Sequence, residues 1–164
     1  MLDYRQNEII IVENLKNYLT TDLRPCEVIR QNQVSKIPSY PYVSYTITTP
    51  INPHVGTYSE AEDGTLYKSI QQTWSFTTQS DDQEEAITLA YKIFDFFSIA
   101  AVQLLADNKI SVLRVGGIST RDNLITIQYE HRNGLDITFG LLYLVTPENN
   151  LLTDVIESVN YKEV

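Results

Sequence analysis

The chain has 164 residues, 43% of them hydrophobic, a size that suits a single domain, 1–164, able to bury a core without covalent staples. Its single cysteine, Cys26, excludes an internal disulfide and a cysteine metal cluster, and reads as a small buried apolar residue. The formal net charge of −9 argues against a protein that grips nucleic acid, which needs cations to displace phosphate counterions. It does not exclude a wall past which DNA slides without sticking.

The opening residues Met1-Leu2-Asp3-Tyr4-Arg5 lead into a mixed helix rather than a secretory signal, and no apolar run reaches the ~20 residues of a membrane span. An intracellular, non-membrane protein is expected. Asp3 is placed to cap the first helix, with Gln6 three residues on, and Ile11, Val12, Leu15, Tyr18 and Leu19 form its inward stripe. Ile9 and Ile10 widen that stripe toward the core or a neighbouring subunit. The helix should end near Thr20, Pro25 blocks continuation, and residues 26–31 read as a short strand with Cys26 and Val28 on one side and Ile29 on the other. Pro38 and Pro41 make 32–41 irregular. Residues 42–49 are β-branched and aromatic, a strand that Pro50 is expected to stop. Residues 50–64 then hold two prolines, two glycines and the acids Glu60, Glu62 and Asp63. A loop of that length inside a domain normally has a use, and with Val55 and Tyr58 it is the expected contact loop.

Residues 67–105 organise the rest of the chain as one long strand running into one long helix. Leu66, Lys68, Ile70, Gln72, Trp74 and Phe76 fall on one side of an extended chain and the odd-numbered residues on the other. Ser80 followed three residues later by Gln83 makes a capping box, and Asp81, Asp82, Glu84 and Glu85 suit the positive end of the helix dipole. Ala86, Leu89, Ala90, Ile93, Phe94, Phe97, Ala100, Ala101, Leu104 and Leu105 form a wide apolar stripe expected to rest on Trp74 and Phe76.

After the polar stop Asp107-Asn108, residues 109–115 read as a strand partly covered on both faces. Gly116-Gly117 allows a bend, and Arg121-Asp122-Asn123 marks a turn. Residues 124–131 and 135–145 carry their apolar side chains at odd positions: Ile125, Ile127 and Tyr129, then Leu135, Ile137, Phe139, Leu141, Tyr143 and Val145. A three-residue hairpin tip, Arg132-Asn133-Gly134 with Gly134 left-handed, would pair odd with odd and bury one face. Pro147 should end the strand, leaving 147–164 as a C-terminal extension in which 151–161 is expected to be extended.

Candidates for chemistry are few. His54 and His131 have no second ligand at metal-binding spacing, the paired acids are explained by a helix start and a turn, and no nucleophile elbow or Cys-and-His arrangement is present. No catalytic, cofactor or metal residue is therefore expected, and the reading is not an enzyme. Eleven tyrosines suit a surface that joins other proteins, because Tyr offers contact area and a hydrogen bond at low entropic cost.

Several runs resemble the phage neck terminator family of tailed bacteriophages, related in fold to tail terminators. They are Pro41-Tyr42-Val43-Ser44-Tyr45-Thr46-Ile47-Thr48-Thr49-Pro50, Gln72-Thr73-Trp74-Ser75-Phe76, Gln79-Ser80-Asp81-Asp82 with Glu84-Glu85-Ala86, and Arg121-Asp122-Asn123-Leu124 with Tyr129-Glu130-His131-Arg132-Asn133-Gly134-Leu135-Asp136. The resemblance implies a homohexameric ring in the virion neck, assembled in the host cytoplasm, that caps the tail tube, stops its growth and meets the head connector or stopper protein. DNA would pass through its lumen without specific binding, and no cofactor or reaction is implied. Another head-tail joining, head-completion or tube protein of related fold is the alternative. Residue pattern and resemblance agree on an α+β domain, an antiparallel sheet with two main helices packed on one face.

Overall fold

Two long strands, Leu66–Ser80 and Gln128–Val145, run antiparallel through the middle of the sheet, and the other elements are placed by what they pair with. The structure is a computed structural model that describes residues 4–20, 25–31, 36–53, 58–125 and 128–145. In chain order its elements are α1 (Tyr4–Thr20), β1 (Glu27–Arg30), β2 (Tyr42–Pro53), β3 (Ser59–Glu60), β4 (Leu66–Ser80), α2 (Gln83–Asp95), a π-helical turn (Phe96–Ala100), α3 (Val102–Asp107), β5 (Ile110–Val115), β6 (Ser119–Thr120), β7 (Asn123–Ile125) and β8 (Gln128–Val145). The sheet order is β1-β2-β4-β8-β5, with β3 beside β4, and β6 and β7 beside β8. The fold is α+β as expected, but the sheet is mixed rather than antiparallel, because β1 lies parallel to β2. In the chain the two strands are separated by residues 31–41, a connection long enough for a parallel pair.

The alternation on β4 is the one the sequence predicts: Ile70, Gln72, Trp74, Phe76, Thr78 and Ser80 are buried. Ile70, Gln72, Trp74 and Phe76 stand opposite Leu141, Phe139, Ile137 and Leu135 of β8, so the even side of β4 and the odd side of β8 share one apolar surface. Tyr45 stacks on Trp74 at 5.4 Å, and Phe97 reaches Phe76 at 5.1 Å and Phe139 at 5.5 Å. Ile11, Leu15 and Leu19 of α1 belong to the same cluster.

Helix α2 starts later than a Ser80 cap would place it. Asp82 is the cap, its carboxylate accepting the Glu85 N–H at 2.8 Å. Ser80 stays buried at the end of β4, where its Oγ accepts the Asp82 N–H at 3.1 Å and donates to the Glu85 carboxylate at 2.6 Å. Asp82→Ala is therefore expected to lower stability by about 1 kcal/mol in chemical denaturation. Gln83→Ala should stay within ~0.5 kcal/mol of the parent, as an exposed substitution beside the cap rather than at it.

Nor does the helix run unbroken to Leu105. The deeply buried residues Leu89, Ile93, Phe97, Ala101 and Leu105 are each four apart. Four residues overshoot one α-helical turn by about 40°, so a stripe at that spacing would wind away from the sheet. The π-turn, closed by the Ala101 N–H on the Phe96 carbonyl at 2.8 Å, takes up an extra residue and resets the phase. Two expected core residues change role in consequence: Phe94 is 38% and Leu104 40% exposed, while Phe96 is only 4% exposed. Ala100 also faces out.

Pro50 does not end β2, which continues to Pro53. Register shifts between Ile47 and Thr49 and between Thr49 and Asn52 place Pro50 at an interruption of the ladder, where its missing N–H is not required. Asn52 then stands opposite Gln71, and β3 pairs with the start of β4. The expected loop 50–64 is thus the end of a β-arm, and only 54–57 of it, with His54 and Val55, lie outside the described residues.

The final hairpin is also corrected. Arg132, Asn133 and Gly134 are not a tip, because β8 passes straight through them, opposite Gln79, Thr78 and Thr77. Gly134 has no positive φ; among the described residues Gly64 (φ 79°) and Lys109 (φ 61°) do. The hairpin present joins β7 to β8, with Ile125 opposite Gln128. The odd-numbered apolar run from Leu135 to Leu141 belongs to one uninterrupted strand and needs no loop to explain it. Leu113, expected to be covered, is 51% exposed. The Asp3 cap and the extension 147–164 lie outside the described residues.

Candidate assembly surfaces

At the end of the β-arm, Tyr58 is 50% exposed with the Lys68 ammonium 5.2 Å from its ring centre, a cation–π contact that presents the ring rather than burying it. Glu60 and Glu62 are exposed beside it. Asp63 shapes the turn itself, since its Oδ1 accepts the Thr65 N–H at 3.0 Å, and that bond holds its carboxyl below the ordinary range. The left-handed Gly64 completes the same turn. Ile51 and Tyr67 add exposed apolar area to the arm. Val55, the fifth contact residue expected here, lies outside the described residues.

Arg132, Asn133 and Gly134 lie inside the sheet. Glu130, almost fully buried, accepts the Tyr40 hydroxyl at 2.9 Å and the Arg132 Nε–H at 2.5 Å, and is also ion-paired with the far end of the same guanidinium. Burial and the bond to Glu130 push the Tyr40 hydroxyl up to about 12, so the pair fastens the connection before β2 to β8. The buried Asn133 accepts the Thr78 hydroxyl at its carbonyl, 3.1 Å away. Gly134 lies under the side chain of Arg121, which donates from Nη1 to Ser75 at 2.7 Å and Thr77 at 3.1 Å, and from Nη2 to Asp136 at 3.2 Å. Burial pushes the Asp136 carboxyl up, but bonds with Ser75 and Arg121 outweigh it and hold the group below its ordinary range. Sequence reasoning marks Arg121 only as part of a turn, since its partners are remote in the chain.

Cys26 is buried, with its thiol pushed up to about 11 chiefly by that burial. His131 is half-buried, its Nδ1 3.6 Å from the Asp122 carboxylate. Among the described residues no group of three His, Cys, Asp or Glu side chains is placed to hold a metal, and no helix is long and apolar enough to cross a membrane.

A different surface stands out on the long helix. Tyr91 (60%), Phe94 (38%), Ile99 (77%) and Val102 (43%) are exposed, although the side of the helix toward the sheet is already filled. Their spacing is three, five and three residues, and the five-residue step spans the π-turn. All four thus fall on one side, a row of large apolar residues of the kind that marks a contact site on soluble proteins. The signal is present in the sequence: Tyr91, Ile99 and Val102 are apolar residues off the inward stripe.

No curated protein matches this sequence. A family model described as phage neck terminator protein matches residues 10–164, nearly the whole chain, including the strands and helices that carry the surfaces above. The chain belongs to the phage neck terminator family, whose members are structural components of the bacteriophage virion that associate with other tail and head proteins.

Proposed function

We propose that copies of this chain close into a ring, of six subunits as the sequence resemblance implies, that sits at the head-proximal end of the tail tube. There it stops tube growth and joins the tail to the head connector or stopper. The observation that carries the reading is the exposed row Tyr91, Phe94, Ile99 and Val102, which offers one subunit a ready apolar face for the next. Head-to-tail contacts between identical subunits need no two-fold axis and close when the rotation allows. The β-arm with Tyr58, Glu60, Glu62 and Asp63 is assigned to docking on tube or connector, its exposed tyrosine and mixed polarity suiting an interface rim. With −9 on each subunit, the lumen is neutral or acidic and duplex DNA slides through without specific binding. The role involves no reaction and no cofactor.

Solution mass by light scattering, joined to negative-stain imaging, tests this on the wild type and on Ile99→Asp. The wild type is expected to form a ring with an open centre and the variant to stay monomeric with an unchanged circular dichroism spectrum, because burying an unpaired carboxylate at an interface is costly. Phage supplied only with the variant should give tails of irregular length or tails that do not join heads. A monomeric wild type with a deep cleft, rings indifferent to Ile99→Asp, or tight and salt-sensitive duplex binding would each overturn the reading.

A further inference from the structure

The β5 ladder shifts by one residue between Val112 and Arg114: Val112 stands opposite Phe139, but Arg114, not Leu113, stands opposite Thr138. In an unbroken ladder Arg114 would face Ile137 on the apolar side and Leu113 would face Thr138. The bulge leaves Leu113 on the polar side, its side chain over Gly140, and moves Arg114 there as well. Val115 takes the place opposite the buried Ile137, and Arg114 is turned onto the other, polar side of the sheet, the kind of re-aiming that bulges beside binding sites provide.

What Arg114 meets there is a cavity of about 320 Å³ lined by Thr73, Thr138, Asp136, Arg121 and the chain around Gly116 and Gly117. The Thr73 and Thr138 hydroxyls lie 3.3 Å apart. Glycine at 116 is required, since a Cβ would come within 2.8 Å of the Asp136 carbonyl oxygen. Gly117 opens onto empty space. Arg121 is committed to Ser75, Thr77 and Asp136. Arg114 is exposed and, among the described residues, has no hydrogen-bond or ion-pair partner. Two guanidinium groups against one carboxylate leave a single positive charge in a polar cavity of a strongly acidic protein.

From this arrangement we propose that the cavity binds one carboxylate, that of an Asp or Glu side chain on a protein met during assembly. A planar monoanion balances the charge, takes the fork of Arg114 and accepts from a threonine hydroxyl. A phosphate dianion would overshoot that charge beside Asp136, and the phosphate row of duplex DNA needs a row of cations that this face lacks. The identity of the partner as a protein rests on the assembly reading above; the anion site does not.

The purified wild-type protein is titrated with acetate and, separately, with phosphate, while the Arg114 Nε–H signal is followed by NMR. Acetate is expected to give a saturable shift at least roughly tenfold tighter than phosphate, about 1.4 kcal/mol. Thr138→Val should weaken acetate binding several-fold, and Arg114→Gln, read through the Gly117 amide, should abolish it. An unsaturable shift, equal binding of phosphate, or indifference to both substitutions overturns the site, whether or not rings form. In phage, Arg114→Glu should give folded protein and unjoined or irregular tails, while Arg114→Lys retains part of the yield. Normal yield from Arg114→Glu overturns the protein partner and leaves both the acetate site and the ring standing.

Discussion

Phe97→Ala is expected to destabilise the domain by about 3–5 kcal/mol, the range for removing a fully buried aromatic side chain. The ring has no exposed surface and lies 4.9 Å from Phe96, 5.1 Å from Phe76 and 5.5 Å from Phe139. Its loss would open a cavity where helix and sheet meet and remove three aromatic pairs, each worth about 0.5–1.5 kcal/mol beyond its buried area. Phe94→Ala, three residues earlier on the exposed side, should cost less than about 1 kcal/mol. Urea denaturation with unchanged slope compares the two. Equal losses would mean that the π-turn does not reset the helix in solution.

The second large effect is expected at Gly134. A Cβ there would come within 2.5–2.6 Å of the Arg121 guanidinium atoms, so Gly134→Ala must displace a side chain bonded to Ser75, Thr77 and Asp136. Arginine is flexible enough to move, which makes the cost that of the lost bonds rather than of a rigid clash. Charged hydrogen bonds contribute about 1.5–3 kcal/mol each, less where exposed, and are not additive, so a loss of about 2–4 kcal/mol is expected. A double-mutant cycle isolates the cause: in an Arg121→Ala background, Gly134→Ala should cost less than about 1 kcal/mol. If the two losses simply add, Arg121 is not what makes glycine necessary.

These two sites show what can be read from the residues alone. Strand periodicity from Ile70 to Phe76 and the parity from Leu135 to Leu141 are legible, because burial on one face imposes a period of two wherever a strand is half covered. Asn133-Gly134 misleads because it carries a turn signature, whereas here the glycine is explained by the remote Arg121. Pro50 misleads for a similar reason, since an interruption in the ladder accommodates what an intact strand could not. The π-turn leaves only a spacing of four in the inward stripe, which an α-helical template absorbs without complaint. As for the assembly surfaces, Tyr58, Glu60 and Glu62 of the acidic arm are exposed as the sequence suggests, but on a β-arm rather than a loop. The helix row is marked in the sequence only by Tyr91, Ile99 and Val102 falling off the inward stripe, since Phe94 counts toward the core until the π-turn is known.

β8 pairs with both β4 and β5, and it is the last described strand of the chain. About 65 residues separate Ser80 from Val145, which at ~5–20 residues per second means roughly 3–13 s of translation during which Trp74 and Phe76, paired with β2 on one side, lack Ile137 and Leu135 of β8 on the other. Pairing at such sequence separation is also slow once the chain is free. A subunit released early therefore lacks the middle of its sheet, the clamp of Arg121 on Asp136 and the far wall of the Arg114 cavity, whatever helices it has formed. Completion of β8 therefore completes the sheet, the Arg121 clamp and the Arg114 cavity together, and a copy cut short before β8 lacks all three.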